Sequence, residues 1–224
     1  MNDLSPKRKE YMKLKSALLL LCGASLALSL VACDNTKKQV DTPSLADPSR
    51  TTKAFADSFD SKKTKWKSYE GDWKFEKGEL LQASTKNDFP VILNETQSFS
   101  DVDVSVSFKP ISGYIDASGG LIFRAEDEDN YYIVRANGLE NNFRLYTFTD
   151  GLRHQLASAT VTTPAHNKFH TIRIIAVGDH IQAYLNGKLE IDFHDKTFSK
   201  GYTGLWTKAD SVTAFDNFKV LQFK

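Results

Sequence analysis

The residues best suited to chemistry in this chain are polar groups set into apolar runs. Arg124 closes Leu121-Ile122-Phe123, and Arg135 and Asn137 end Tyr131-Tyr132-Ile133-Val134. Arg144 and Tyr146 alternate with Phe143 and Leu145, and Trp206 and Lys208 alternate with Leu205 and Thr207. Guanidinium and amide groups hold hydroxyls and carboxylates through paired hydrogen bonds, and aromatic rings stack on the C–H faces of sugars. If these runs are neighbouring strands, Arg124, Arg135 and Arg144 converge on one surface. Asn137, Glu140 and Asn142 would then rim it from a turn at the same end. The competing reading is a solvated sheet face, with Trp206 in the core.

Other chemistries find less support. The five His, at 154, 166, 170, 180 and 194, form no i, i+4 pair with a Glu between them, and no Cys joins them, so no zinc motif is present. Hard cations take carboxylates and carbonyls, and a structural calcium is the cofactor these residues would suit: Asp57 and Asp60 near the first strand would face Asp216 near the last. The bland alternative for Asp216 is solvent exposure or a backbone bond at a bulge. Glu126-Asp127-Glu128-Asp129-Asn130 lies between two apolar runs and reads as an exposed turn or a calcium loop. There is no Gly-x-Ser-x-Gly elbow and no Gly-rich phosphate loop.

Strands must position these groups. Val102, Val104, Val106 and Phe108 share one face of a strict period-two run. Asn186-Gly187 joins Ile181–Leu185 to Leu189–Phe193, which predicts a hairpin whose two central residues both take positive φ. Further strands are expected at 120–125, 131–137, 142–148, 153–160, 169–177, 203–207 and 214–223. No window after Thr51 sustains a helical period for three turns. The expectation is an all-β fold, one antiparallel β-sandwich over residues 54–224. Its last strand should pair near Phe55–Phe59 and tie both ends down.

The chain has 224 residues, with 29 Lys+Arg against 28 Asp+Glu, which offers no basic footprint for nucleic acid. Five of those cations precede an uncharged run from Ser16 to Ala32, too short for a comfortable membrane span but suited to a signal peptide, with Met12 as an alternative start. The run ends Leu30-Val31-Ala32-Cys33, which resembles a bacterial lipobox. Residues 1–32 are therefore expected to be a signal peptide, and Cys33 to carry lipid and anchor the protein in a membrane of the cell envelope. Residues 33–53, polar and holding Pro43 and Pro48, are expected to be a flexible tether. Without Asp3, Glu10 and the five cations, the mature chain has formal charge −2. These residues leave the membrane leaflet and the oligomeric state open.

The residues from Gly113-Tyr114-Ile115-Asp116-Ala117-Ser118-Gly119-Gly120 onward carry a wider pattern. They continue through Asp129-Asn130-Tyr131-Tyr132, Arg144-Leu145-Tyr146, Gly204-Leu205-Trp206-Thr207 and Phe215-Asp216-Asn217-Phe218. With Gly71-Asp72-Trp73 and Gly78-Glu79-Leu80, they resemble the concanavalin A-like (laminin-G-like) jelly-roll domains grouped with the bacterial 3-keto-disaccharide hydrolase-like family. The resemblance runs from about Asp57 to Val220 and implies a jelly roll with glycan-related chemistry. The Glu-x-Asp-x-x-Glu strand of jelly-roll glucanases is missing. Three readings follow: a module that binds a glycan or disaccharide on a sheet face, a hydrolase or lyase acting on 3-keto-glycosides, or a structural envelope protein with a protein partner. For the enzyme, a single base beside an Arg would suffice, with His154 or Asp116 as candidates.

Overall fold

A computed structural model of the chain describes residues 44–60 and 66–224. The expected signal peptide, Cys33 and most of the expected tether lie outside the described residues. In chain order the strands are β1 (Thr51–Asp57), β2 (Trp66–Glu70), β3 (Trp73–Glu76), β4 (Glu79–Gln82), β5 (Val91–Phe99), β6 (Val102–Ser112), β7 (Ser118–Ala125) and β8 (Tyr131–Asn137). There follow β9 (Asn142–Thr149), β10 (Leu152–Thr160), β11 (His170–Val177), β12 (His180–Leu185), β13 (Lys188–His194), β14 (Gly201–Trp206) and β15 (Val212–Phe223).

All the pairings are antiparallel and form two sheets. The β6 sheet runs β13-β12-β11-β6-β15-β4-β3, with β1 also paired to β15; the β8 sheet runs β10-β9-β8-β7-β14-β5-β2. The fold is the expected antiparallel jelly-roll sandwich. The main core lies between the sheets. Val102, Val104, Val106 and Phe108 of β6 meet Leu121, Phe123, Tyr132, Val134, Phe143 and Leu145 there, all fully buried. Burying each such side chain contributes roughly 1.5–3 kcal/mol.

The turn chemistry is visible in the backbone. Asn186 and Gly187 both have positive φ, at 51° and 81°, as the β12–β13 hairpin requires. The first and last strands of the sandwich also pair as expected: Thr51 opposes Phe223, and Asp57 opposes Phe218. Strand β1 nevertheless starts three residues inside the stretch expected to be tether, after a 3₁₀ turn at Pro48–Arg50 capped by Asp47. Thr51, Thr52 and Lys53 are held by β15 through backbone pairing, which needs no apolar side chains and so left no hydrophobic signal to read.

The β8 sheet departs from the usual one-sided pattern. Every residue of β7 and β8 is buried. Its outer face carries a second cluster: Val91 and Leu93 of β5, Ile122 of β7, Tyr131 and Ile133 of β8, Tyr146 and Phe148 of β9, and Trp206 of β14. Gly120 and Gly204 stand within this layer. A Cβ at Gly120 would lie 2.5 Å from Ile133 Cδ1 and 3.1 Å from Trp206 Cε3. A Cβ at Gly204 would lie 2.4 Å from the Ile92 carbonyl oxygen, which cannot rotate away. Gly204→Ala is therefore expected to destabilise the domain by about 1–3 kcal/mol through overpacking. Urea unfolding measures this, and a variant as stable as the parent would refute the close packing of β14 on β5.

Candidate functional site

The outer face of the β8 sheet collects most of the polar residues expected at a ligand surface. Arg135 on β8 and Arg144 on β9 are directly opposed, as are Ile133 and Tyr146 in the next row. On the other side Arg135 opposes Gly120, which opposes Trp206. The side-chain-free position between them leaves room above β7 that Ile133 and Trp206 occupy. Asn137 ends β8 beneath the turn. Its Oδ1 accepts from the backbone N–H of Ala117 and Leu139, at 3.1 and 2.9 Å. Glu140 in that turn accepts from Arg135 Nη2 at 3.0 Å and Asn142 Nδ2 at 2.8 Å. Burial pushes the Glu140 carboxyl up, but the bonds from Asn142 and Arg135 outweigh it and hold it below the usual range.

Lys208, just past β14, donates to Asp116 at 3.1 Å, and Asp116 is only 1% exposed. Burial acts downward on the Arg135 guanidinium, yet the acidic groups facing it, Tyr146, Asp116 and Glu140, raise its pKa overall. Arg135 is 2% exposed, and its Nε and Nη1 have no hydrogen-bond partner. Arg144 Nε, Arg153 Nη1 and Trp206 Nε1 are likewise buried and unpartnered. These five atoms are donors, as is the unpartnered Asn137 Nδ2, while Asn142 Oδ1 at the rim is a lone acceptor. A buried donor left unmade costs about 1–3 kcal/mol, so this face carries a standing demand for acceptors.

Two members of the site were not foreseen. Arg153 on β10 opposes Phe148, and its guanidinium lies 4.8 Å from the Tyr146 ring centre and 5.3 Å from that of Phe89. Phe89, from the loop before β5, stacks on Trp206 with centroids 5.7 Å apart and meets Phe148 edge-on at 5.1 Å. Arg153 was legible in principle: Asp150-Gly151 is a two-residue turn with φ of 51° and 72°, which sets Arg153 on the face of Tyr146 and Arg144. Phe89 left no periodic signal because it sits in a loop.

Arg124 is the correction. It was expected beside Arg135 and Arg144, but its φ is +49° and the β7–β14 register shifts there. This bulge hands the outer-face position to Ala125, which joins the second cluster. Arg124 instead bonds the carbonyls of Ser100 and Phe198, at 2.7 and 3.3 Å, with Asp101 at 3.7 Å. Trp206 resolves both of its readings: it is fully buried, yet on the outer face. Of the two base candidates, Asp116 is at the site, whereas His154 is exposed and alternates with Arg153 onto the opposite side of β10.

The expected calcium ligands are engaged locally. Asp57 accepts from Phe59 N and Trp66 Nε1, at 2.9 and 3.0 Å; Asp60 from Ser58 Oγ at 2.5 Å; and Asp216 from Asn217, at 2.6 and 3.0 Å. Among the described residues, these three do not form a group of ligating atoms close enough to share an ion. The acidic turn at 126–130 closes on itself, with Asp127 accepting from Asp129 N and Asn130 Nδ2.

Fold and face together define a jelly-roll domain with an acceptor-seeking surface of arginines and aromatic rings. The chain belongs to the 3-keto-alpha-glucoside-1,2-lyase-like domain family, whose model matches residues 54–221. It is 26% identical over 162 residues to a protein of Bacillus subtilis (strain 168) named a levanase; the match covers 71% of this chain but only 23% of that protein. Among solved structures it is similar to the family 66 carbohydrate-binding module of Bacillus subtilis, with TM-score 0.64, 26% identity, and coverage of 70% of this chain and 95% of the module. A Bacillus licheniformis β-glucanase shares the fold, with TM-score 0.57, 15% identity and coverage of 77% and 99%.

The loop at the edge of the site hangs on one carboxylate. Asp210 accepts from the backbone N–H of Tyr114, Ile115 and Asp116, at 2.7–3.1 Å. Burial raises the Asp210 carboxyl, but these donors outweigh it and lower its pKa. A lowered folded pKa means the unfolded chain binds the proton more readily, so the stabilisation is full above the ordinary carboxylate range and fades as pH falls through the folded value. Asp210→Asn should therefore be less stable than the parent at neutral pH, with the gap closing towards acid. Denaturant unfolding across pH checks this; a gap constant with pH would show that the charge is not the holding force.

Proposed function

We propose that the domain binds a carbohydrate on the outer face of the β8 sheet. The observation that carries the reading is the set of five unpartnered buried donors on Arg135, Arg144, Arg153 and Trp206 beside the rings of Tyr146 and Phe89. Sugars answer both demands, because hydroxyl and carboxylate oxygens accept from the guanidinium forks while C–H faces lie on rings. The likeness to a carbohydrate-binding module and to a segment of a levanase supports it. Four cations, Arg135, Arg144, Arg153 and Lys208, stand against Asp116 and Glu140, so acidic sugars should gain on neutral ones as salt is lowered.

Arg135→Met is the sharpest test. The variant removes an incompletely bonded buried charge, and its partner Glu140 is exposed enough to be taken up by water. Stability should be unchanged or higher, while retention on a glycan array that includes levan and acidic glycans should disappear. A folded Arg135→Met that still binds would overturn the site, and a parent chain that binds nothing on the array would overturn the function.

A second reading rests on Asp116. It is a buried carboxylate within reach of Lys208 and facing Arg135, as a proton-abstracting base beside an enolate-stabilising cation should be. The family description favours elimination on a 3-keto-glycoside. Asp116→Asn with a 3-keto-glycoside separates the two readings: a lyase loses turnover and keeps binding, whereas a pure binding module shows no turnover in either form.

The reading also includes an anchor. Lipid on Cys33 is supported by the run Ser16–Ala32 and its ending Leu30-Val31-Ala32-Cys33. It would hold the domain at a membrane of the cell envelope. In bacteria expressing the chain, Cys33→Ser should abolish labelling by an alkynyl fatty acid and release the protein from the membrane fraction; labelling that survives would rule the anchor out.

A further inference from the structure

The hairpin of β12 and β13 lies at the far edge of the β6 sheet, and it builds a cluster that the linear spacing of its residues does not reveal. His180 opens β12 and His194 closes β13, and the hairpin register makes them direct partners. Their rings stack with centroids 4.4 Å apart and planes within 10°. His180 Nε2 meets Asp192 Oδ1 at 2.6 Å, and His194 Nδ1 meets Asp179 Oδ1 at 3.1 Å. The second oxygen of Asp192 is held by Gln182 Nε2 at 2.9 Å, which fixes the carboxylate's orientation. One ligand atom from each of His180, Asp192 and His194 lies within 4.8 Å of the others.

We infer that this face of the hairpin is a binding site for a divalent transition-metal ion of the zinc, nickel or copper class. Its ligands are His180, His194 and Asp192, with Asp179 or water completing the shell. Imidazole and carboxylate together are the donor set these ions take, and metal–nitrogen bonds of about 2.0–2.1 Å place tetrahedral ligands roughly 3.3 Å apart. The observed separations close to that chiefly by rotation of the His194 side chain, which is well exposed, towards the Asp192 carboxylate that Gln182 holds. With neutral imidazoles the two carboxylates leave the cluster at −2, and a divalent ion neutralises that charge. Lys196, the cation acting on Asp179, stands on the segment beyond β13. The ion would clip β12 to β13 at the open end of the hairpin, on the far side of the register shift at Ala183/Tyr184 from the turn.

The test uses the full chain, purified without a histidine tag and stripped with EDTA. Titration with zinc chloride by calorimetry should give one site and a rise in melting temperature that EDTA reverses. His194→Ala and Asp192→Asn should each weaken binding about tenfold or more, and His194→Gln serves if the Ala variant folds poorly. His154→Ala, a histidine outside the cluster, should bind as the parent does. Copper(II) should broaden the His180 and His194 ring signals in NMR spectra before those of His154, His166 and His170. The inference is overturned if the parent takes up no zinc at millimolar concentration, if a His180→Ala/His194→Ala chain binds as tightly as the parent, or if other histidines broaden first. Sugar binding at the β8 sheet is unaffected by any of these outcomes.

Discussion

Strands β7 and β8 have no solvent face, and that constraint organises the molecule. Each must satisfy the main core with one set of alternate side chains and a second layer with the other. The main-core set is apolar but for the Tyr132 hydroxyl, which donates to Asp195 and accepts from the Phe198 N–H. The outer set is mixed, because Arg135 and Asn137 share it with Ile122, Tyr131 and Ile133. Tyr131, Ile133 and Arg135 follow one another along β8 in that order, passing from the aromatic centre of the second cluster to its charged end. Glycine at 120 and 204 is a consequence, since a Cβ at 120 would strike Ile133 and Trp206 and one at 204 would strike the Ile92 carbonyl and Leu93.

The outer layer is organised for something other than stability. Buried donors without acceptors oppose folding, and five of them sit on one face while the opposite face of the same strands is conventionally packed. Positive charge there is only partly matched: Glu140 serves Arg135 and Asn142, and Asp116 serves Lys208. Asp210 fixes the backbone from Tyr114 to Asp116 from outside. The arrangement is a preorganised, incompletely satisfied surface, the property on which the proposed carbohydrate site rests. In a family described by lyase-like chemistry, the same preorganisation would serve binding or proton transfer, and the two uses differ only in what Asp116 does.

The edge of the other sheet shows a separate economy. The hairpin turn at Asn186-Gly187 sets a register, and the register alone makes partners of two histidines fourteen positions apart. Where β7 bulges at Arg124 the effect is the reverse: a residue with the right parity is turned away from its expected face to brace the carbonyls of Ser100 and Phe198.

Much of this was readable from residues alone. Period-two runs such as Val102–Phe108 determined strands, and Asn186-Gly187 determined a hairpin. The alternation of Arg144 and Tyr146 put those two on one face of their strand, because local sterics and the two-residue repeat of a strand act within a few positions. What the tertiary structure decided depends on distances along the chain that no local pattern encodes. It put Arg153 and Phe89 at the site, removed Arg124, paired His180 with His194 and left the donors of Arg135 and Trp206 unanswered. The physical reason is that a strand's parity says which residues share a face, while only bulges, turns and the order of strands in the sheet say which faces meet.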